Sequence, residues 1–409
     1  MAAAIEVKGW CPGVLQPMQS GDGLIARVRP WCGAFGLDEA RGLADAAERF
    51  GNGHIDLTRR GNLQIRGVSD ESLPDLRAAL DGLDLLDRDS QTEAGRNIMV
   101  GPLAGLDPAE PFDVRPIAGT LVRLLAAEAA LHDLPSKFGF LVDGGGTVSI
   151  AGERADVSLR AIGSDMAVGL DTSTGAQWLG STSPVAAAKT ALAAALAFIG
   201  VARDRERLRD LSEDGFAQLR SVLTPMLRPL DGDVPAASTR SLGVLDSGPG
   251  KIAVGVAAPF GRLEAHQLRS FVDLVHDGGA TDIRLSPWRS LYVEARDGAA
   301  ACAIVESANA LGLIVNVDDP ILRIEACPGA PACRSSSVDT RRAARQLAVQ
   351  GFTGGIHVSG CAKGCARSAP ADLVLVGELG RYNVIRNGTA RDAVERTIGA
   401  EEVGSLFDV

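Results

Sequence analysis

Hydrophobic and polar positions change period twice in the same way along this chain. From Leu24 to Val28, and again from Ile252 to Val256, a short apolar run reads as a strand, and a turn marked by Gly33 or Gly261 follows. The period then becomes helical. Leu268, Phe271, Val272 and Val275 fall at i, i+3, i+4 and i+7, and Ala40, Leu43, Ala44 and Ala47 take the same places earlier in the chain. Each helix therefore carries one apolar stripe suited to covering a sheet. Both patterns stop near a glycine, Gly51 or Gly279, and alternating residues follow: Ile55, Leu57, Leu63 and Ile65 in one case, Ile283, Leu285, Leu291 and Val293 in the other.

The two patterns superpose without a gap at an offset of 228, which sets Leu24–Arg66 on Ile252–Glu294. Val28/Val256, Gly33/Gly261, Gly51/Gly279, Ile55/Ile283, Leu57/Leu285 and Leu63/Leu291 are identical, while Thr58/Ser286 and Ile65/Val293 are close. This is an internal duplication. Neither strand-helix-strand copy has enough apolar surface to stand alone, so the copies are expected to pair about a pseudo-twofold axis and share a site at their junction. Each is followed by a stretch in which strands (Phe138 to Val142, Ile356 to Ser359, Leu373 to Val376) alternate with helical segments. The run from Arg228 to Gly250, rich in Pro, Gly, Ser and Asp, reads as the crossing linker.

At 409 residues the chain exceeds the roughly 100–150 of a typical domain. Hydrophobic residues at 46% against 22% charged suit an ordered α+β protein. The opening MAAAIEVKGWCPG has neither a basic n-region nor an apolar h-region, which predicts a cytoplasmic location. The most apolar stretch, Val185 to Val201, is alanine-rich and broken by Lys189, and is expected to be a packed helix rather than a membrane span. A net charge of −10 argues against a nucleic-acid partner.

Seven cysteines include two close pairs, Cys327 and Cys333 in ACPGAPAC, and Cys361 and Cys365 in SGCAKGCA, giving C-x5-C, a gap of 27 residues, and C-x3-C. A four-iron four-sulfur (4Fe-4S) cluster needs about four soft thiolates, and nearby Gly329, Gly360 and Gly364 would let the backbone approach it. Structural zinc, which favours C-x2-C or C-x4-C knuckles, and plain burial of small apolar thiols are the alternatives. Cys302 is expected in the core, and Cys11 and Cys32 in packing roles.

The cysteine pairs, the duplication and the stretch LTRRGNLQIRG (Leu57 to Gly67) together resemble the nitrite and sulfite reductase family. The fold so implied is α+β: pseudo-twofold duplicated ferredoxin-like halves at 1–95 and 251–312, plus two nitrite/sulfite reductase-like α+β units at 96–227 and 313–409, the latter holding the iron-sulfur site, with 228–250 between. The opening KGWCPGVLQPMQSGDGLIARVRP (Lys8 to Pro30) and HVSGCAKGCA (His357 to Ala366) most resemble a branch of that family that is a monooxygenase of cobalamin biosynthesis. What this implies is hydroxylation of the tetrapyrrole precorrin-3A at C20 by dioxygen, with closure of a γ-lactone and electrons from an NAD(P)H-linked or ferredoxin-like donor. The alternative it implies is a sirohaem-dependent sulfite or nitrite reductase.

By the same resemblance, the anion- and tetrapyrrole-binding positions of the reductases match Arg29, Arg60, Arg96 and Lys137. Paired carboxylates suit arginine's planar fork. Arg27, Arg59 and Arg66 are expected to be surface or capping residues. Reductases carry two lysines in a K-x-K stretch, and here Gly139 stands at the second place. Lys363, where reductases commonly show asparagine, is expected either to lower the charge felt by the cluster or to be solvated. A mononuclear non-haem iron is also implied, but the five histidines, His54, His132, His266, His276 and His357, show no H-x-D/E spacing, so no ligands are assigned to it.

Overall fold

The structure is a computed structural model that describes residues 11–202, 207–235, 240–246 and 252–407. Lys8, Gly9 and Trp10 of the opening motif, and residues 236–239 and 247–250 of the expected linker, lie outside them.

The first repeat consists of β1 (Met18–Ser20), β2 (Gly23–Val28), β3 (Ala34–Gly36), α1 (Leu37–Phe50), β4 (His54–Leu57), β5 (Leu63–Val68), α2 (Leu73–Asp81) and α3 (Ser90–Gly95). Next comes a unit of β6 (Ile98–Val100), α4 (Arg115–Ala127), β7 (Phe140–Asp143), β8 (Val157–Ile162), β9 (Asp165–Thr172), β10 (Gly175–Thr182), α5 (Pro184–Val201) and α6 (Glu213–Leu223). The second repeat holds β11 (Gly243–Asp246), β12 (Ile252–Ala257), β13 (Arg262–Glu264), α7 (Ala265–Asp277), β14 (Asp282–Leu285), β15 (Ser290–Ala295) and α8 (Gly298–Ala310). The last unit has β16 (Ile324–Ala326), α9 (Thr340–Ala348), β17 (Ile356–Ser359), β18 (Ala371–Glu378), β19 (Arg381–Gly388) and β20 (Arg396–Gly399).

Among the described residues four five-stranded sheets result, and they come in two matching pairs. The units after each repeat share one topology: β6, β7 and β8 are parallel with β9 and β10 added antiparallel, as β16, β17 and β18 are parallel with β19 and β20 added antiparallel. The duplication thus extends well beyond the segment in which residue identities reveal it.

The repeat sheets run β1-β2-β5-β4-β13 and β11-β12-β15-β14-β3, so each repeat completes its sheet with a strand of the other. Strand β13 pairs antiparallel with β4 (Leu263 opposite Ile55), and β3 with β14 (Phe35 opposite Ile283). Both exchanged strands follow a left-handed pair of residues, Cys32 and Gly33 at φ 51° and 79°, Phe260 and Gly261 at 55° and 72°. That turn directs each short strand away from its own sheet. It was not foreseen from the hydrophobic pattern, because three residues are too few to establish a period. The predicted helical stripes do cover the sheets: Leu43 and Ala47 of α1 join Phe271 and Val275 of α7 in a single core spanning both repeats.

One expectation needs correction. Part of the presumed linker, Gly243–Asp246, is an edge strand hydrogen-bonded to β12, the counterpart of β1 on β2. Helix α5, at 18 residues and mean hydropathy 1.7, is long and apolar enough to cross a membrane by composition alone. Its inner face, Ala187, Ala191, Ala194 and Phe198, is packed in the core of the first unit.

The exchange brings Arg262 of β13 onto Asp56 of β4, with guanidinium-carboxylate distances of 2.7 and 3.0 Å. Arg66 of β5 lies 3.6 Å and Arg341 of α9 lies 3.8 Å from the same carboxylate. Burial by itself would raise the Asp56 pKa, but the Arg262 hydrogen bonds and the three positive charges hold it below the ordinary carboxylate value. Asp56→Asn would leave those cations without their shared anion, and is expected to lower stability by about 3 kcal/mol at neutral pH in chemical denaturation. In the wild type that contribution is present above the unfolded aspartate pKa of about 4 and is lost as the pH falls through the depressed native value. Equal stability of the variant and the wild type at pH 7 would show that the ion cluster is energetically idle.

Candidate functional site

Cys327 follows β16 directly and is 8% exposed. Its sulfur accepts the backbone N–H of Gly360 at 3.1 Å, and Thr340 at the start of α9 donates its hydroxyl to the Cys327 carbonyl at 2.6 Å. Two glycines are required by this packing. A Cβ on Gly329, whose φ is +65°, would meet the Thr340 hydroxyl at 2.4 Å, and one on Gly360 would meet the Ser336 hydroxyl at 2.3 Å. Cys333 lies on the same turn, its N–H bonded to the Gly329 carbonyl at 2.7 Å, while Cys361 and Cys365 follow β17 with Gly364 at φ +65° between them.

Because β16 and β17 are adjacent and parallel, their two C-terminal loops emerge side by side and bring the four cysteines together. Burial pushes the Cys327 thiol pKa up; at Cys365 burial is again the largest cause, reinforced by the sulfurs of Cys327, Cys361 and Cys333. Thiols that oppose one another's ionisation are the donor set a soft cation would stabilise. Among the described residues no three His, Cys, Asp or Glu side chains are grouped to hold a single metal ion. Lys363 is half-buried beside Cys365, where its charge favours the thiolate.

Beside these loops lies a cleft of about 260 Å³ lined by Arg59, Arg240, Arg289, Arg323 and Arg367, with Glu325 as its carboxylate. Arg59 comes from the β4–β5 turn of the first repeat and Arg289 from the matching β14–β15 turn of the second, while Arg323, Glu325 and Arg367 flank the cysteine loops. Burial, and then the neighbouring guanidiniums, lower the pKa of Arg240, and burial with Arg59 does the same to Arg289, in each case against the pull of Glu325. Arg240 donates to the Trp288 carbonyl at 2.9 Å, but its Nε is buried with no partner among the described residues. Arg289 adopts a left-handed φ of 60°, a conformation that disfavours any residue with a Cβ. Its counterpart under the 228 offset is Gly61, also at φ 60°. An arginine retained where the duplicated turn calls for glycine is backbone strain placed at a cation-lined cleft.

The expected binding arginines lie elsewhere. Arg96 is 5% exposed: it forms a two-pronged pair with Asp87 at 3.0 and 2.8 Å, donates to the Arg29 carbonyl at 3.0 Å, and stacks 3.8 Å above the Trp31 ring. Arg29, 4% exposed, lies 3.7 Å from Glu93 and donates to the Pro12 carbonyl at 3.4 Å. Both are enclosed by internal anions because α3 and the loop before it supply Asp87 and Glu93. Arg60 points to the first unit and donates to the Arg154 carbonyl at 2.5 Å, and Lys137 is exposed. Of the surface roles expected of Arg27, Arg59 and Arg66, that of Arg66 is corrected, since it is buried on Asp22 at 2.6 Å, while Arg59 is exposed and lines the cleft. Cys302, expected in the core, is exposed on α8, and His266 and His276 are exposed on α7. The cleft arginines beyond Arg59 were missed, although the alignment of Gly61 with Arg289 was a usable signal.

Gly139, at the second place of the K-x-K position, donates its N–H to Asp156 at 2.9 Å, and Asp156 is in turn paired with Arg207 at 2.6 Å. A Cβ on Gly139 would meet the Asn97 amide at 3.1 Å, and no cationic side chain stands at this second place.

The sheet pairs and the twin cysteine loops define a redox-protein architecture that other chains share. Residues 16–83 match the nitrite/sulfite reductase ferredoxin-like half domain. The structure of the NirA protein of Mycobacterium tuberculosis superposes with a TM-score of 0.75, at 24% identity, covering 94% of this chain and 79% of that one. A sulfite reductase [ferredoxin] of M. tuberculosis is 27% identical over 94% of this chain and 78% of its own length. The chain belongs to the nitrite and sulfite reductase family of oxidoreductases. Within that family its likeness runs to a particular protein: a precorrin-3B synthase of Sinorhizobium sp is 35% identical over 94% of this chain and 83% of its own length.

The enclosure of Arg96 makes its removal a matter of stability first. Arg96→Ala would leave Asp87 buried without a partner, and is expected to cost about 3–5 kcal/mol in denaturant titration. An unaltered unfolding midpoint, with ligand affinity alone reduced, would return Arg96 to the binding surface.

Proposed function

We propose that this chain catalyses the oxygen-dependent hydroxylation of precorrin-3A at C20, with closure of a γ-lactone from the ring A acetate, giving precorrin-3B. The observation that carries this reading is the arginine-lined cleft beside the cysteine loops, in a chain whose overall charge is −10. A polyanion is repelled by such a protein at large and needs a local cationic seat. The ring of precorrin-3A carries a fringe of acetates and propionates, which paired guanidiniums bind through charge-assisted hydrogen bonds. At about 260 Å³ the cleft accepts one carboxylate-bearing edge rather than the whole macrocycle. The 35% identical precorrin-3B synthase adds to this support.

In this proposal Cys327, Cys333, Cys361 and Cys365 hold a 4Fe-4S cluster, which supplies one-electron transfer when bound. The amides of Gly360 and Gly329 temper the charge on the Cys327 sulfur. Arg59, Arg240, Arg289 and Arg367 orient the carboxylate edge against the loop that carries Cys361 and Cys365, converting binding energy into position. One atom of dioxygen enters the product and the other leaves as water, with two electrons and two protons drawn from an NAD(P)H-linked or ferredoxin-like donor. The described histidines assemble no trio with carboxylates, and no residue is assigned to a mononuclear iron.

Sirohaem-dependent reduction of sulfite or nitrite is the rival reading, favoured by the reductases among the relatives. Against it stands Gly139, bonded to Asp156 where a proton-donating lysine would be needed.

Anaerobically prepared protein is expected to contain about four iron and four acid-labile sulfides per chain. Zinc in stoichiometric amount without sulfide would overturn the cluster assignment. Incubation with precorrin-3A, reductant and isotopically labelled dioxygen is expected to place one labelled oxygen atom in the product by mass analysis. Tightly bound sirohaem together with brisk sulfite or nitrite turnover would reverse the choice between the two readings.

A further inference from the structure

Glu325 lies two residues before Cys327 on β16, and its carboxylate bridges two arginines from different parts of the fold. One oxygen is 3.1 Å from Arg59 on the first-repeat turn, and the other is 2.6 Å from Arg367 in the loop after Cys365. The side chain is 15% exposed, and it is the carboxylate among the residues lining the cleft with five guanidiniums. Arg240 and Arg289 face the same space without an acidic hydrogen-bond partner among the described residues, and Glu325 is the charge that most favours ionised Arg289. Beneath it, Glu325 is paired in register with His357, whose side chain is fully buried.

Guanidiniums crowded at a half-buried wall need negative charge nearby, and Glu325 meets that need from within the chain. The geometry it offers, one oxygen to each of two guanidiniums, is the geometry a propionate or acetate would offer from outside. Resting on the tetrapyrrole reading above, we infer that Glu325 is a resident stand-in for a substrate carboxylate: it occupies Arg59 and Arg367 in the free protein and yields them when a polycarboxylate ring enters. Affinity is then set by exchange of one carboxylate for another, so an anion that offers a single carboxylate gains little over Glu325, while a ring that also engages Arg240 and Arg289 displaces it. The pair thereby selects for several carboxylates on one rigid frame.

The experiment uses the full-length, cluster-loaded protein and uroporphyrin, a tetrapyrrole with eight carboxylates, titrated by quenching of tryptophan fluorescence. Glu325→Gln keeps the shape and removes the charge, and is expected to bind roughly tenfold more tightly than the wild type. In an Arg59→Ala background the same substitution is expected to give under about a threefold gain, because the contact being contested is gone. Glu325→Ala provides the same comparison should the glutamine variant fail to fold, with Tm and iron content as controls. Unchanged or weaker binding by Glu325→Gln would overturn the inference, since the glutamate would then hold the arginines in place for the ligand. A gain of equal size in the Arg59→Ala background would also overturn it, by reducing the effect to a general field. Wild-type binding without the expected gain leaves the tetrapyrrole reading standing; failure of the wild type and every variant to bind removes both.

Discussion

The carboxylate of Asp56 is the point at which three parts of this protein are held together. It sits on β4 of the first repeat, takes Arg262 from the exchanged strand β13 of the second, and is approached by Arg341 from α9 of the cysteine-bearing unit. Arg341 also senses the Cys327 sulfur, which favours its charge against the opposing effects of burial and Arg262. The register of β13 on β4, the seat of α9 and the neighbourhood of the cysteine loops are therefore electrostatically linked. Such a buried group of ions is worth little as a stability device compared with apolar packing, and much as a means of fixing one arrangement.

That arrangement follows from the exchange of strands. A short edge strand cannot fold independently, and each repeat leaves a sheet edge open that only the other repeat closes. The copies are thereby held in a defined relation, with the α1 and α7 stripes in one core and the ion pairs from Arg269 to Asp45 and Glu48 on its surface. The twin turns Thr58–Gly61 and Ser286–Arg289 are brought to the junction, where they have diverged. Arg60 faces the first unit, its counterpart Trp288 packs in that unit's core, and Arg59 and Arg289 line the cleft by the cysteines. A symmetric scaffold thus carries an asymmetric site.

Charge is distributed in the same way. The excess of acid serves the surface at large, while arginines gather at the cleft with a single carboxylate among its lining residues. Away from the cleft, Arg29 and Arg96 are balanced by Glu93 and Asp87. Which arginines are paired internally and which line the cleft is thus set by the acidic residues that the fold places beside them.

By itself the sequence determined the duplication, the α+β class and the four cysteines, because these are carried by period and spacing: apolar residues recurring at helical or strand intervals, glycines at fixed offsets, and thiol pairs set by short loops. Residue type, however, carries no direction. Arg29, Arg96 and Arg59 read alike along the chain, and their different fates depend on Asp87, Glu93 and Glu325, which lie from nine to some hundreds of residues away. The strand exchange was equally hidden, since a three-residue strand has no period and its partner is 206 positions distant, as the Asp56–Arg262 contact measures. Only the tertiary structure decided which arginines are enclosed and which line the cleft, because a guanidinium is claimed by whichever anion the fold places first within reach.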